Sequence, residues 1–273
     1  MTKRKLGDKG VHLMRRIHIV TDVDLTEKSA QPVHVLSLAK YLARFDLEVR
    51  LVYPLWQKED VRLPSGLIGI PIHVPRQPYL RSKIFQLKLL TKLNHLPKPD
   101  IVYLRLSAGM ITPLIWTCVT GVPLFVEVNG ILDLEYVMVD KKVAGIRQWL
   151  KLQRIHIVEK LNLKKATGIV FVTDELRQYY TQRYGLPQDN TITIKNGVDL
   201  ELFQPMNKHH TRRQLELRVE GLALAFVGSL APWQGLDDAI QAIKILADRG
   251  ISYAVFCLKK KNEEMSLRTL ARE

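Results

Sequence analysis

Cysteine is scarce. Cys118 and Cys257 are the only two in 273 residues. Each sits in an apolar string, Ile-Trp-Thr-Cys-Val and Val-Phe-Cys-Leu, so both are expected to be buried free thiols in a reducing compartment. No Cys/His spacing suggests a zinc site. Long hydrophobic runs are also missing. The longest, Met110 to Val119, is broken by Thr112 and Pro113 and is too short to cross a bilayer. The basic start Met-Thr-Lys-Arg-Lys is followed by no apolar core of the secretory kind, so a cytoplasmic protein is expected. Glycine is absent from Thr21 to Pro32, the turn after the first apolar run. A dinucleotide-binding fingerprint is therefore lacking, which counts against a dehydrogenase. No internal repeat or low-complexity tract is present.

Hydrophobic residues make up 47% of the chain and charged residues 25%, the balance of a globular protein. The formal net charge of +14 calls for an anionic partner or surface. Nucleic acid, acidic lipid and phosphate-bearing substrates all fit that charge.

Short β-branched runs alternate with amphipathic patterns. Strands are predicted at Ile17–Thr21, Val49–Tyr53, Ile68–Val74, Asp100–Leu104, Leu124–Val128, Gly168–Val172 and Thr191–Lys195. Helices are predicted at Val33–Phe45, Ile84–Leu93, Gly109–Val119, Val143–Lys165 and Asp174–Tyr184. Such alternation gives a parallel sheet with helices on both faces. A polar stretch, Met206–Arg218, reads as a linker. A second unit then begins with a strand at Ala223–Val227, a helix at Asp237–Ala247, a strand at Tyr253–Leu258 and a charged helix at Glu263–Glu273. The predicted division is 1–200 and 201–273, the second unit being short of the strands a doubly wound sheet needs.

Four strings carry chemistry. In the turn after the first strand, Thr26, Ser29 and Gln31 are polar groups at the carboxyl edge of a parallel sheet. Ser29 and Gln31 are taken as an acceptor-side loop, with a plain surface loop as the rival. In Phe125-Val-Glu-Val-Asn-Gly-Ile-Leu-Asp-Leu-Glu135, Glu127, Asn129, Asp133 and Glu135 crowd a strand end that faces the ligand crevice in such sheets. They could orient sugar hydroxyls, or merely cap and solvate. In Ile194-Lys-Asn-Gly-Val-Asp-Leu-Glu-Leu-Phe-Gln-Pro205, Asn196-Gly197 suggests a tight turn with positive φ. In Ala225-Phe-Val-Gly-Ser-Leu-Ala-Pro-Trp-Gln-Gly-Leu-Asp-Asp238, a strand, a polar loop and a helix start offer free N–H groups to an anion.

The last two strings resemble known signatures. Asn196-Gly197-Val198-Asp199, with Phe203 and Pro205, is similar to the interdomain signature of family 4 glycosyltransferases of the GT-B fold. Phe226 to Asp237 resembles the loop that opens their second domain and holds the donor's phosphates. The order of elements from Arg16 onward agrees too. The resemblance implies an α/β, GT-B-like chain with a complete N-terminal Rossmann-like domain and a partial second one. It implies transfer from a nucleotide sugar to a glycan or lipid-linked acceptor with retained configuration, in surface polysaccharide or glycolipid assembly. Donor contacts would come from Gly228, Ser229, Trp233, Gln234, Gly235, Asn196 and Gly197, and Asn129 and Glu135 would line the transfer site. No metal or other cofactor is implied, because positive groups and a helix start neutralise the leaving diphosphate.

The chain departs from the family pattern in places. Ser229 and Gln234 stand where many members carry Arg and Lys. Asn129 stands where a His is frequent, and a glycine pair is missing from the first loop. Lys259-Lys260-Lys261 replaces a glycine-containing loop, and the segment with two donor-binding glutamates is not found. The chain is therefore expected to be a C-terminally truncated product, whose open sheet edge favours self-association; the alternative reading is an inactive remnant with only acceptor or membrane binding.

Basic residues accompany apolar ones in two amphipathic stretches: Arg81, Lys83, Lys88 and Lys92 with Ile84, Leu87, Leu90 and Leu93, then Lys141, Lys142, Arg147, Lys151, Arg154, Lys164 and Lys165 with Trp149, Leu150, Ile157 and Leu161. Solvated faces and docking on an anionic inner leaflet both fit. A basic nucleic-acid-binding protein is a third reading. It is disfavoured because interleaved aromatics and recognition signatures are lacking.

Overall fold

The structure is a computed structural model. It describes residues 16–27, 29–56, 61–139, 145–215, 222–227, 234–251, 253–261 and 264–270, with residues 78, 79, 138, 139, 147, 222 and 253–270 described by backbone alone. The chain divides into two compact units between Asn196 and Gly197.

The first unit carries strands β1 (Arg16–Val20), β2 (Glu48–Leu55), β3 (Leu67–His73), β4 (Ile101–Arg105), β5 (Leu124–Val128), β6 (Gly168–Phe171) and β7 (Thr191–Thr193). They form one seven-stranded sheet in the order β3-β2-β1-β4-β5-β6-β7. All six pairings are parallel. The order reverses between β1 and β4. That leaves a crevice outside their carboxyl ends, where open α/β sheets bind ligands.

Helices α1 (Ala30–Leu42), α2 (Pro78–His95), α3 (Thr112–Thr120), α4 (Leu132–Val139), α5 (Ile146–Lys165) and α6 (Asp174–Tyr184) connect the strands. Val35 and Ala39 of α1 pack on Ile17, Ile19, Val49 and Leu51. The other sheet face is a separate core in which Phe85, Leu89, Leu93, Leu114, Leu163 and Tyr180 meet Val20, Val102, Leu104, Val126 and Phe171. Alternation along β5 separates the two: Leu124, Val126 and Val128 belong to this larger core, while Phe125 and Glu127 point to the α1 side.

Several sequence expectations are corrected. Helix α2 opens at Pro78 rather than Ile84, because proline at a first-turn position needs no hydrogen-bonded N–H. Helix α4 was not foreseen: it is short, and its polar residues read as a loop. Gln31 lies inside α1, not in a loop. Cys118 is exposed. Helix α3 is apolar on its outer side as well, where Cys118 lies with the exposed Ile115 and Val119.

The second unit contains α7 (Lys208–Gln214), β8 (Leu222–Val227), α8 (Leu236–Asp248), β9 (Tyr253–Lys261) and β10 (Glu264–Leu270). Its sheet runs β10-β9-β8, with β8 and β9 parallel and β9 and β10 antiparallel. Part of the expected linker is thus helical, started by Asn207, whose side chain accepts from the N–H of His210 at 3.0 Å. The expected terminal helix is a strand. Met265, Leu267 and Thr269 alternate with Glu264, Ser266 and Arg268, a period of two.

Candidate functional site

The carboxyl ends of β1, β4 and β5 bring together a polar cluster on the first unit. At its centre is Glu127, 2% exposed, the next-to-last residue of β5. One oxygen, Oε1, accepts from Asn129 Nδ2 at 2.7 Å and lies 2.5 Å from His34 Nε2. The other, Oε2, accepts from the Tyr103 hydroxyl at 2.8 Å. Burial pushes this carboxyl up, but the bonds from His34, Tyr103 and Asn129 outweigh it and hold the pKa below the ordinary glutamate value. Tyr103 is driven the other way, upward, by burial and by the neighbouring carboxylate. Glu127 is therefore a fixed negative charge. It holds an imidazole and an amide side by side on a single oxygen.

Across the switch point, Ser107 after β4 donates to Asp22 Oδ2 after β1 at 2.6 Å. Desolvation raises the Asp22 carboxyl, with Ser107 and Arg105 opposing. Arg105 pairs in register with Glu127 across β4 and β5. Its Nε is buried and has no hydrogen-bond partner among the described residues. A buried donor with nothing to give to is a site of unused binding capacity. Next to it, Glu135 on α4 folds back over Gly130, where any Cβ would collide with the carboxylate. Desolvation raises the Glu135 carboxyl and Arg105 lowers it. Together these groups present donors and acceptors of both signs, the chemistry that grips hydroxyls and an anion at once.

Of the residues expected from sequence, Asn129 and Glu135 thus lie at one strand end, together with Glu127. Asp133 is turned away and bound to Arg183 at 2.7 Å. Ser29 precedes α1 and its side chain makes no capping bond; both it and Gln31 are exposed. In that loop the ordering group is Asp24, which accepts from the N–H and hydroxyl of Thr26. Sequence reasoning missed His34, Tyr103, Arg105, Ser107 and Asp22. His34 comes from a helix face that reads as surface, 93 positions from its partner.

In the second unit, Gly235 takes a left-handed φ of 66° at the start of α8, a conformation that favours glycine. Gln234 beside it is exposed. Asp237 and Asp238 occupy the first turn of α8, where they complement the helix dipole. Gly228, Ser229 and Trp233 fall outside the described residues. Asn196 and Gly197 are exposed, and the positive φ expected at Gly197 is not adopted. The turn comes later, closed by Asp199: its carbonyl accepts from the N–H of Phe203 at 2.8 Å and its carboxylate from Glu201.

A second buried carboxylate lies behind the crevice. Glu159 of α5 accepts from the hydroxyls of Tyr180 at 2.9 Å and Tyr184 at 2.5 Å, tying α5 to α6. A cavity of about 340 Å³ lies nearby, lined by Leu134, Val137, Leu152, His156 and Arg183 among others.

Comparison with known proteins follows this geometry. A family profile described as Glycosyltransferase Family 4 matches residues 31–202. The chain is 23% identical over 265 residues to the capsular polysaccharide biosynthesis glycosyltransferase CapM of Staphylococcus aureus, covering 95% of this chain and 60% of CapM. It is 31% identical over 96 residues to a D-inositol 3-phosphate glycosyltransferase of Corynebacterium glutamicum (strain R), covering 34% of this chain and 23% of that protein. Among solved structures, WaaG, a glycosyltransferase involved in lipopolysaccharide biosynthesis, aligns with a TM-score of 0.63 at 15% identity, over 88% of this chain and 62% of WaaG. Anabaena HepE in complex with UDP and glucose aligns with a TM-score of 0.60 at 14% identity, over 89% and 60%. The likeness to these structures is one of fold. The chain spans about 60% of the length of CapM, WaaG and HepE.

Proposed function

The chain belongs to Glycosyltransferase Family 4, and we propose that it takes part in moving a sugar from a nucleotide-sugar donor to a glycan or lipid-linked acceptor, with retained configuration. The observation that carries this reading is the Glu127 cluster at the strand-order switch, inside the region matched to the family. CapM acts in capsular polysaccharide biosynthesis and WaaG in lipopolysaccharide biosynthesis. Surface polysaccharide or glycolipid assembly at the cytoplasmic face of a membrane is the setting proposed here.

In this reading the first unit binds the acceptor. Asn129 and His34, held by Glu127, hydrogen-bond hydroxyls, and the unpaired Arg105 Nε donates to the most electron-rich oxygen. Glu135, Ser29 and Gln31 border the same edge. The nucleotide sugar is the second unit's ligand, with its diphosphate against the start of α8 at Gln234 and Gly235 and the loop of Gly228, Ser229 and Trp233; Asn196 and Gly197 stand at the join. The bond between the anomeric carbon and the diphosphate oxygen breaks. The acceptor oxygen attacks from the same face, and its proton passes to the departing oxygen. The proposal needs no metal and no protein nucleophile. Stabilisation comes from N–H groups aimed at the charge that develops on the leaving diphosphate.

The test is to incubate the purified chain with UDP- and GDP-sugars and follow donor consumption, then fix the anomeric configuration of any product by NMR. Donor turnover with retention is expected. If the chain neither binds nor consumes any such donor, the enzyme reading of this chain fails, and an acceptor-binding role alone is left.

A further inference from the structure

Around the strand-order switch, one cation stands among acids and bonds to none of them. Arg105 ends β4. Glu127, its partner in the register of β4 and β5, gives both oxygens to His34, Asn129 and Tyr103. Asp22 follows β1 on one side of β4, and Glu135 reaches in from α4, which follows β5 on the other. The Arg105 charge acts on both carboxyls, yet no ion pair joins it to either among the described residues. Glu135 is lodged instead against Gly130, where a Cβ would meet its carboxylate.

The bonding capacity left over is specific. Arg105 Nε is a buried N–H with no acceptor among the described residues. Asp22 Oδ2 accepts from the Ser107 hydroxyl at 2.6 Å, and Oδ1 takes no further side chain there. Glu135 takes no donor at all among them. Burial raises both carboxyls, as it does for acids removed from water without enough donors to compensate. Whatever fits between these groups must accept from the guanidinium and donate to the acids. A phosphate or carboxylate accepts but has no proton to give, and it would stand against two acids. An ammonium donates but has no lone pair for Arg105. A hydroxyl does both. Two acids flanking one guanidinium suit two hydroxyls on neighbouring carbons, one donating to Asp22 and one to Glu135, each turning a lone pair to Arg105. The net charge of the chain, +14, favours anionic ligands at long range. At this spot one cation faces two acids, and the local balance is the reverse.

We infer that Arg105, Asp22 and Glu135 bind a neutral vicinal diol on the acceptor's terminal sugar and turn away a sugar with a phosphate or carboxylate at those carbons. This rests on the reading of the first unit as the acceptor's binder and names the class of sugar it takes. Binding is measured on the full chain by saturation-transfer NMR titration with methyl glucoside, galactoside, mannoside and rhamnoside. The glycoside that binds is then compared with its deoxy analogues and its monophosphate esters at each ring carbon. Removing either of two neighbouring hydroxyls should weaken binding about tenfold, the loss of one hydrogen bond to a charged group. A phosphate ester at either carbon should not bind. This comparison uses the wild-type chain, so it stands whatever substitutions do to folding. Asp22→Asn and Glu135→Gln should each weaken the sugar about tenfold. Gly130→Ala, which displaces the Glu135 carboxylate, should act in the same direction. The double variant Asp22→Asn/Glu135→Gln should gain binding of inorganic phosphate, seen by phosphorus NMR, that adding Arg105→Gln removes. A merely structural role for the acids would not create that gain. The inference is overturned if no glycoside binds, if the deoxy analogues all bind as well as the parent, if a phosphate ester binds more tightly, or if the double variant gains no phosphate. Neutral sugar bound without donor consumption would keep this site while the transfer reading fails. Transfer onto acidic sugars alone would keep the transfer reading and remove this one.

Discussion

Glu127 and Glu159 are both 2% exposed and both fully engaged by hydrogen bonds, yet their surroundings make them opposite kinds of carboxylate. Glu127 accepts from an imidazole, an amide and a hydroxyl, and its pKa is lowered. Glu159 accepts from two tyrosine hydroxyls, with burial outweighing them, and its pKa is raised. The first sits at a strand end with polar groups beside it that are not exhausted by each other, Arg105 Nε above all. The second is enclosed between two helices, where both its oxygens are taken up by Tyr180 and Tyr184. Burial alone does not mark a functional acid; what matters is which donors hold it and what they still have to offer.

The largest expected effect separates the two by stability. Glu159→Leu removes the stronger acceptor of both hydroxyls, leaving Tyr180 only the Gly130 carbonyl and Tyr184 only His156 Nδ1, each at 3.1 Å, and should cost about 2 kcal/mol in urea denaturation, the scale of two lost hydrogen bonds. Turnover per folded molecule should stay near the wild-type value. Glu127→Gln is the converse. It keeps the shape but presents an amide N–H to donors, so His34 and Asn129 lose their orientation. A fall of about 100-fold in kcat/KM for sugar transfer is expected, the scale of a misplaced reacting group. Should Glu127→Gln retain full activity, the distinction drawn between the two acids disappears.

These two acids also show how far sequence reading went. The parallel sheet was legible because each strand is a short β-branched run between helical periods, and its seven strands lie within a few residues of expectation. Polar crowding at the end of β5 was visible in Phe125 to Glu135, where Glu127, Asn129, Asp133 and Glu135 fall within nine positions. Their division of labour was not. Whether Asp133 faces Arg183 and Glu135 faces Gly130 depends on α4, a helix too short and too polar to announce itself. His34 could not be found, because its partner is fixed by the packing of α1 over the sheet rather than by spacing. Glu159 was hidden for a related reason: on a basic helix it reads as one more surface charge. The final strand was misread because attention to charge outweighed its two-residue alternation.

A smaller effect would sharpen the comparison at His34. His34→Ala removes one of the three donors to Glu127 and should lower kcat/KM about tenfold, the loss of a single charge-assisted hydrogen bond. His34→Gln, which restores an N–H, should recover part of it. Steady-state kinetics of both variants decides whether the imidazole is needed or only its hydrogen bond.

The smallest effect is the difference in pH dependence of stability. A lowered folded-state pKa means that the unfolded chain binds the proton more readily, so Glu127 contributes stability above about 4.5 that is lost as pH falls below it. A raised one means the folded chain holds the proton longer, so the Glu159 contribution is greatest at low pH and declines as pH rises above about 4.5. Denaturation of wild type against Glu127→Gln and Glu159→Gln across this range should give differences of opposite slope. A third signature lies apart from both. His18 is buried in β1 with neither ring nitrogen bonded, and burial, helped by Arg50 and Arg16, depresses its pKa to about 4. Stability should fall between about pH 6.5 and 4 for this group alone, and His18→Val should flatten that part of the curve.

The most direct trial is to measure sugar transfer and melting temperature side by side for Glu127→Gln and Glu159→Gln. Transfer lost in the first with its fold intact, and kept in the second with its melting point lowered, is the predicted result. Transfer surviving in Glu127→Gln and failing in Glu159→Gln would place the chemistry elsewhere than at the end of β5.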